Sequence, residues 1–314
     1  GATSRRAITL AGMDIFLNGK MVPHEQAMVP FDDAGLQHAV GLFETFQCFH
    51  GRVFRLTQHL ERLRTSAIQL GLLRELHLDP LAQAVEQTIE HNQLDRARIR
   101  LTLTAGAASM LRASENTETS GGGGGTLMIV PTPATAYDPA YFERGVRVLI
   151  APAGANPFDQ LAGHKSLSYW GRLRTLRQAA AAGAGEAIWM NISNHIASGA
   201  ISNVFLVRDG VLFTPIARGE EQEGAMPAPV LPGVTRAAVM ELAREMNVEV
   251  RTQMLSIHDL LDADEAFLTN SGWQVLPISH VEQKEIGEGG AGELTRALRT
   301  RLLELIEAET AGGE

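Results

Sequence analysis

Lys165 is the residue of this chain whose type and surroundings best suit covalent chemistry. The chain has three lysines; Lys20 follows an Asn-Gly turn and Lys284 lies in a polar stretch, so both are predicted to be solvated. Lys165 lies between a loop rich in Gly, Asn and Pro and an apolar segment, 166–182, predicted to be a helix. A partly desolvated amine can lose its proton and attack a carbonyl carbon. Taken alone, Lys165 has an alternative explanation as an ordinary lysine at a helix start.

Composition limits the class of protein. The chain has 314 residues, of which 45% are hydrophobic and 20% charged, enough for two moderate domains. The formal charge of −9 argues against nucleic acid as the main partner, because phosphate binding usually needs a basic face. The sequence shows no membrane-spanning apolar run and no signal-peptide pattern, and its single cysteine, Cys48, is predicted to be buried. We therefore expect a cytoplasmic protein with a small-molecule substrate, no membrane partner and no metal site.

The predicted elements form two α+β domains, residues 1–134 and 135–314. In the first domain we predict two hairpins, a helix capped by Thr57, a second helix opened by Asp79-Pro80, and strands over 99–104 and 127–130. Residues 114–125 are polar and end in five glycines, which predicts a disordered loop. In the second domain we predict helices over 166–182, 235–246 and 293–306, a short helix capped by Ser256, and strands over 146–151, 186–192, 204–208, 211–214, 266–269 and 274–278.

Six short motifs give the chain a resemblance to a known family. Any one of them is weak, but together they follow the family's order and spacing. The sequence resembles the fold-type IV pyridoxal-phosphate enzymes, which include branched-chain and D-amino acid aminotransferases, (R)-selective amine transaminases and aminodeoxychorismate lyases. The resemblance implies a small N-terminal α/β domain, a larger β-barrel-like C-terminal domain, and a homodimer. The motifs are Gly41–Thr45, His59–Leu63, Lys165–Tyr169, Ser202–Phe205, Leu231–Arg236 and Asp264–Thr269.

The resemblance implies that pyridoxal 5′-phosphate is the cofactor and that Lys165 forms the internal aldimine with it. Lys165 would then move a proton between the substrate α-carbon and the cofactor. The chemistry agrees, because an aldimine needs a neutral amine, and an electron-sink cofactor stabilises a carbanion that no isolated side chain could stabilise.

Three sets of residues are expected to hold the cofactor phosphate. Gly233, Val234 and Thr235 open a predicted helix and offer backbone N–H groups, a hydroxyl and the positive end of the helix dipole. Arg62 is similar to the family's phosphate-binding arginine, and Ser271 would add a hydroxyl. Each also has a common structural explanation, namely a turn, a solvated arginine and a loop serine.

Two further residues are expected at the cofactor ring. Tyr169 falls one predicted helical turn after Lys165, and in the family this tyrosine binds the phenolic oxygen. Ser198 stands where the family normally has a glutamate that keeps the ring nitrogen protonated. A hydroxyl can donate to an unprotonated nitrogen but carries no charge that would raise its pKa. Ser198 therefore predicts slower transamination unless another group compensates.

Two residues are candidates for substrate binding. His38 replaces a family tyrosine that faces the substrate carboxylate, so it could bind an anion or carry a proton, or it could equally be a core histidine. Arg100 matches a position that helps bind the substrate carboxylate in branched-chain aminotransferases, although an exposed strand face would also explain it.

Three functions remain open from the sequence. The first is an aminotransferase that moves an amino group between a small amino acid or amine and a 2-oxo acid. The second is an aminodeoxychorismate lyase-like or other β-eliminating enzyme, which Ser198 and His38 favour. The third is a cofactor-binding relative with little catalysis, which Lys165 argues against.

Overall fold

The computed structural model describes residues 12–106 and 125–311. The predicted disordered loop therefore lies outside the described residues, except for Gly125. The described chain forms two compact units. The first unit comprises residues 12–106, 125–135, 165–167 and 307–311, and the second comprises 136–164 and 168–306.

The first unit is built on an antiparallel six-stranded sheet. Its elements are β1 (Asp14–Leu17), β2 (Lys20–Pro23), a 3-10 helix (His24–Gln26), α1 (Ala34–His38), β3 (Gly41–Phe49), β4 (Arg52–Val53), α2 (Leu56–Gln69), α3 (Leu78–His91), β5 (Ala97–Thr104) and β6 (Leu127–Pro133). The strand order is β2-β1-β6-β5-β3-β4. The Asn18-Gly19 turn between the first two strands has φ angles of 48° and 87°, which confirms the predicted hairpin.

Helices α2 and α3 and the sheet share one hydrophobic core. Leu60, Leu63 and Ala67 recur at helical spacing on α2, and all three are buried. The predicted cap at Thr57 is wrong: the N-cap residue is Arg55, two residues earlier and in the left-handed region, and no side chain caps α2. Burial of the apolar stripe therefore stabilises this helix without the help of a cap.

The second unit is built on a nine-stranded mixed sheet. Its elements are α4 (Tyr141–Arg144), β7 (Val146–Ala155), α5 (Trp170–Ala181), β8 (Glu186–Asn191), β9 (Ile196–Gly199), β10 (Asn203–Arg208), β11 (Val211–Thr214), α6 (Val234–Glu245), β12 (Val250–Thr252), α7 (Ile257–Leu261), β13 (Glu265–Asn270), β14 (Gln274–Val281), β15 (Lys284–Glu285) and α8 (Glu293–Thr310). The strand order β12-β11-β10-β13-β14-β7-β8-β9 contains both parallel and antiparallel pairs, and β15 pairs with β14 outside this order.

This larger sheet curls on itself. Strand β9 ends the path, yet it is joined to β10 by a short turn in which the Gly199 N–H donates to the Ser202 carbonyl at 2.8 Å. All four residues of β9 are buried. The α+β fold with a small and a larger unit agrees with the predicted fold class, and the curl buries a strand, β9, that was not among the predicted elements.

The predicted helix over 166–182 is wrong at its start. Ser166 forms an isolated β-bridge with Leu42, and α5 begins only at Trp170. The apolar stripe of that prediction is not a core face either, since Trp170 is 79% exposed and Leu173 is 46% exposed. Backbone pairing with β3 replaces helical hydrogen bonds at residues 165–167, because a strand edge satisfies the same N–H and C=O groups.

Three other predicted features, the Ser256 cap, the burial of Cys48 and the exposure of Lys284, are confirmed. Ser256 caps α7 in a capping box with Asp259. Cys48 is fully buried, and burial raises the pKa of its thiol to about 11, so it is not a nucleophile. Lys284 is exposed and lies 3.2 Å from the Asp262 carboxylate. None of the helices in the described ranges is long and apolar enough to cross a bilayer.

Candidate active site

Lys165 is fixed by its backbone to the first strand residues of β3. The Phe43 N–H donates to the Lys165 carbonyl at 2.9 Å, and the Leu167 N–H donates to the Gly41 carbonyl at 2.9 Å. Gly41 is required here, because a Cβ at this position would lie 2.6 Å from the Leu103 carbonyl oxygen and 2.7 Å from a methyl carbon of Leu167. The lysine therefore belongs to the first unit, although the residues on both sides of 165–167 belong to the second.

Two basic side chains contact the ring of Phe43. The Lys165 Nζ lies 4.4 Å from the ring centroid, and the Arg100 Cζ lies 3.9 Å from the same centroid. Both distances are within the range of cation–π attraction. Arg100 projects from β5 opposite Thr45 of β3, and Phe43 is two residues away on that strand. Lys165 and Arg100 are therefore both neighbours of Phe43 in the first unit.

A buried carboxylate organises the neighbouring residues. Glu44 accepts hydrogen bonds from Arg62 Nε at 2.8 Å, from Arg62 Nη2 at 2.7 Å and from His59 Nδ1 at 2.9 Å. Glu44 and His59 are both almost fully buried, and the Arg62 side chain is 11% exposed. One edge of the Arg62 guanidinium is therefore used within the protein, which orients the rest of the group.

The charges of this cluster follow from its burial. Burial by itself would raise the pKa of Glu44, but the Arg62 guanidinium and the His59 hydrogen bond outweigh it and lower the pKa to about 2. Burial lowers the pKa of His59 despite the Glu44 hydrogen bond, with the charges of Arg62 and Lys165 adding to the decrease. His59 is thus neutral at pH 7, and its Nδ1 carries the hydrogen because Glu44 can only accept.

The start of α6 in the second unit is suited to bind an anion. Gly233 is the N-cap residue, no side chain caps the helix, and the first turn contains no acidic residue. Gly233 packs so closely on Asn203 that a Cβ would lie 2.1 Å from its side-chain oxygen. Val234 and Thr235 follow and are buried. The uncapped N–H groups and the helix dipole both favour a negative group at this point.

Thr269 adds a buried hydroxyl near the same helix start. It lies directly opposite Asn203 in the pairing of β10 and β13, so the two side chains share a face of the sheet. Its Oγ1 is buried and has no hydrogen-bond partner among the described residues. Buried hydroxyls are nearly always paired, so this atom is suited to bind a ligand oxygen.

Ser198 on β9 is buried and contacts a cation rather than a carboxylate. The Arg172 Nη1 donates to Ser198 Oγ at 3.2 Å and to the carbonyls of Gly199 and Ala200 at 3.0 and 3.2 Å. The same guanidinium lies over the Trp189 ring, 4.9 Å from its centroid. Trp189 is the cross-strand partner of Ser198.

Tyr169 occupies a different position from the one that the sequence suggests, whereas Ser271 lies in a loop as expected. Tyr169 is the N-cap residue of α5 and not one helical turn along it, so it shares no helix face with Lys165. Its hydroxyl donates to the Ala200 carbonyl at 3.4 Å, which brings it to the same segment as Arg172. Ser271 is half-buried in the turn between β13 and β14.

His38 is not a core histidine. It is the exposed last residue of α1, and the following Ala39 is in the left-handed region with a φ of 57°. Of the two alternatives from the sequence, the structure therefore excludes the buried one. Substrate binding by His38 stays a prediction.

The structure groups the predicted residues in three places. Lys165 and Arg100 meet at Phe43, Ser198 and Tyr169 meet at Ala200, and Gly233–Thr235 starts α6 near Thr269. Sequence reasoning missed the roles of Glu44 and His59, although both lie in the motifs that carry the resemblance. It also missed Thr269 and Arg172. The burial of Thr269 is signalled by the apolar strand around it, whereas no sequence signal marks Arg172.

Comparisons with known proteins agree on one family. The family model described as "Amino-transferase class IV" matches residues 41–281. A putative branched-chain-amino-acid aminotransferase of Methanocaldococcus jannaschii is 31% identical over 294 residues, which cover 93% of this chain and 96% of that protein. The crystal structure of the Escherichia coli branched-chain amino acid aminotransferase has a TM-score of 0.84 and 30% identity, covering 95% of this chain and 96% of that one. The 4-amino-4-deoxychorismate lyase of Pseudomonas aeruginosa shares the fold, with a TM-score of 0.77 and 24% identity over 92% of this chain and 98% of that one.

Proposed function

Because this chain belongs to the class IV aminotransferase family, and is thus a pyridoxal-phosphate-dependent aminotransferase, we propose that it moves an amino group between a small aliphatic amino acid or amine and a 2-oxo acid. The observation that carries this proposal is the position of Lys165, whose backbone is paired with β3 and whose amine lies with Arg100 at the Phe43 ring. The branched-chain aminotransferases among its relatives support an aliphatic substrate.

The residues present fit pyridoxal 5′-phosphate. The uncapped start of α6 and the unpartnered Thr269 hydroxyl suit a phosphate group. A lysine, a tyrosine hydroxyl and a serine hydroxyl suit the aldehyde carbon, the phenolic oxygen and the ring nitrogen. When bound, the cofactor supplies an electron sink for the bond that breaks at the substrate α-carbon.

Lys165 has two tasks in this proposal. Its Nζ would hold the cofactor covalently, and as a free amine it would carry the proton that leaves the substrate α-carbon. The pairing of residues 165–167 with β3 holds the Lys165 backbone in place during both tasks. Arg100 binds the substrate carboxylate and so orients the α-carbon towards the amine.

The cofactor phosphate would be held by dipoles and by one oriented cation. The N–H groups of Val234 and Thr235, with the Thr235 and Thr269 hydroxyls, would bind its oxygens. Arg62 would add positive charge, and Glu44 keeps its guanidinium in one orientation. Ser271 would supply a further hydroxyl from the turn after β13. Tyr169 would bind the phenolic oxygen, and Ser198 would bind the ring nitrogen.

A homodimer is part of the proposal. The segment from Met28 to Val40 in the first unit exposes large apolar side chains: Met28 is 74% exposed, Phe31 82% and Leu36 65%. Contiguous exposed apolar residues of this size usually mark an interface. We propose that a second copy of the chain covers this segment, and that His38 at its end takes part in substrate binding.

A lyase is the alternative, and one observation favours it. The residue at the proposed ring nitrogen is a serine next to an arginine, and within residues 12–106 and 125–311 no carboxylate forms a hydrogen bond with it. A less electron-withdrawing ring suits reactions that expel a leaving group from the substrate at least as well as it suits amino transfer. The likeness to the Pseudomonas aeruginosa lyase shows the fold alone and does not decide between the two.

The experiment that tests the function follows the cofactor and the products separately. Purified protein with pyridoxal phosphate is given single D- and L-amino acids and amines, and the absorbance change of the amino-transfer half-reaction is recorded. Aliphatic donors should convert the cofactor to its amino form, and 2-oxo acids should restore it. Release of pyruvate without an amino acceptor would select the lyase instead.

Lys165→Ala supplies the residue-level test. Borohydride should fix the cofactor to Lys165 in the unaltered protein, and the variant should lose this attachment and at least about 10²-fold in rate, since a proton carrier is removed. Lys284→Ala is the matched control, because Lys284 is an exposed lysine paired with Asp262, and it should behave as the unaltered protein does. Attachment at Lys284 or activity without Lys165 would contradict the proposal.

A further inference from the structure

Arg172 places a positive charge at the segment 198–200. A guanidinium donates hydrogen bonds and accepts none, so at Ser198 it can only engage the lone pairs of the hydroxyl oxygen. Three contacts from one nitrogen, to Ser198 Oγ and to the Gly199 and Ala200 carbonyls, hold it there. The stack on Trp189 fixes the plane of the group. The positive charge of Arg172 would therefore repel any cation placed next to the Ser198 hydroxyl.

Glu186 is a carboxylate near this segment, but it cannot supply the missing negative charge. Its Oε1 accepts from the Ala187 N–H at 2.8 Å, and its Oε2 accepts from the Ile201 N–H at 3.1 Å and from the Ser202 hydroxyl at 2.8 Å. Ile188 pairs with Gly199 and Trp189 with Ser198, so Glu186 shares its strand face with Ile188 and points away from Ser198. Burial also raises the pKa of Glu186, which favours its uncharged form.

Towards a further partner, the Ser198 hydroxyl can act as a hydrogen-bond donor. Because Arg172 donates to its oxygen, the hydroxyl hydrogen must point elsewhere, and in the structure it is donated to the Gly199 carbonyl at 2.8 Å. A nitrogen with a lone pair is an acceptor that this hydrogen can reach by rotation of the hydroxyl. A protonated nitrogen would instead need an acceptor and would lie beside the Arg172 charge.

We infer that Ser198 and Arg172 together bind the ring nitrogen of the cofactor in its unprotonated form. Ser198 donates the hydrogen bond, and Arg172 is a positioning residue that orients the hydroxyl and places a positive charge behind it. The inference rests on the proposed function, because it needs Ser198 to face the ring nitrogen. An uncharged ring withdraws less electron density from the substrate carbon, so removal of the α-proton depends more strongly on Lys165.

The protonation state can be read directly by nitrogen NMR. The protein is loaded with pyridoxal phosphate that carries ¹⁵N in the ring, and the ¹⁵N chemical shift is followed from pH 6 to pH 9. The unaltered protein should show the unprotonated shift throughout. Arg172→Gln should raise the pKa of the ring nitrogen by about one unit or more, the usual effect of removing a like charge at this range. Arg172→Lys, which keeps the charge, should stay closer to the unaltered protein.

Two further variants serve as controls for the NMR measurement. Arg174→Gln removes an exposed arginine from the same helix and should leave the ¹⁵N shift unchanged. Ser198→Glu introduces an acceptor with a negative charge and should give the protonated shift. Equal effects of Arg172→Gln and Arg174→Gln would overturn the role of Arg172.

A binding measurement on the unaltered protein tests the same inference without any substitution, so it does not depend on whether a variant folds. The cofactor-free protein should bind a pyridoxal phosphate analogue with C–H in place of the ring nitrogen within about tenfold of the normal affinity, because only one neutral hydrogen bond is lost. A much larger loss, or a protonated ring nitrogen in protein whose cofactor is attached at Lys165, would overturn this inference alone. Failure of the cofactor to bind or to attach would overturn the proposed function as well.

Discussion

At the scale of single residues, the candidate site depends on charged groups that are buried within the fold. Glu44 is buried, yet it stays ionised because Arg62 and His59 bind it. Breaking a buried ion pair by removing one partner is costly, because the other charge is left without compensation. Glu44 thus contributes to stability and to the orientation of Arg62 at the same time.

The pH dependence of stability tests this role. The folded pKa of Glu44, about 2, is below its ordinary value of 4.5. A group with a lowered folded pKa stabilises the fold above its unfolded pKa and loses that contribution as the pH falls towards the folded value. The contribution of Glu44 should therefore be complete above about pH 5 and should decline between pH 4.5 and pH 2. Its full size is on the order of 3 kcal/mol.

Glu44→Gln is the variant for this measurement. At pH 7 it should unfold at a lower denaturant concentration than the unaltered protein. The difference between the two midpoint concentrations should become smaller as the pH approaches 2.5. Glu249→Gln is the control, because Glu249 is 57% exposed in its pair with Arg251 and should cost little at any pH. A gap that stays constant from pH 7 to pH 2.5 would show that Glu44 acts through packing and not through its charge.

At the scale of elements, the decisive feature is the pairing of residues 165–167 with the start of β3. This pairing replaces the first turn of the predicted helix, so α5 begins only at Trp170, five residues after Lys165. It depends on close approach at Gly41, where a Cβ would meet both the Leu103 carbonyl and the Leu167 side chain. A larger residue at position 41 must push the Lys165 segment or β5 away from β3.

Gly41→Ala should therefore lower stability by about 1–3 kcal/mol, the usual cost of overpacking a close contact. It should also weaken attachment of the cofactor at Lys165, because the lysine backbone moves. Thermal unfolding and borohydride labelling measure the two effects. Gly171→Ala is the control: a Cβ there would meet only Trp189 at 3.5 Å, and alanine favours the helix. If the two variants unfold at the same temperature, the close approach at Gly41 is not a constraint.

At the scale of the whole molecule, the first unit exposes an apolar segment that a second chain could cover. Phe31 at 82% exposure is the largest exposed apolar side chain of this segment, and Gln37 donates a hydrogen bond to its carbonyl at 3.1 Å. Burying a phenylalanine contributes about 1.5–3 kcal/mol, and a two-fold interface contains two copies of it.

Light scattering on the eluted protein tests the dimer. The unaltered chain should have twice the mass of one copy, and Phe31→Ser should weaken the dimer at least tenfold. Trp170→Ser is the control, because Trp170 is similarly exposed at 79% but lies on α5 in the second unit. A dimer that Trp170→Ser weakens and Phe31→Ser does not would move the interface to the other unit.

Several features of this protein could be determined from the sequence. Hydrophobic periodicity predicts most of the helices and strands, Asn18-Gly19 predicts its turn, and Ser256 predicts its cap, because these depend on residues close together along the chain. The six motifs identify the family and single out Lys165. Only the tertiary structure decided that residues 165–167 pair with β3, since that pairing joins residues more than a hundred positions apart. The contact of Arg172 with Ser198 and the unpartnered hydroxyl of Thr269 are likewise decided by the curl of the larger sheet. Contacts between residues that are far apart along the chain produce no local sequence pattern, so they could not be predicted from the sequence.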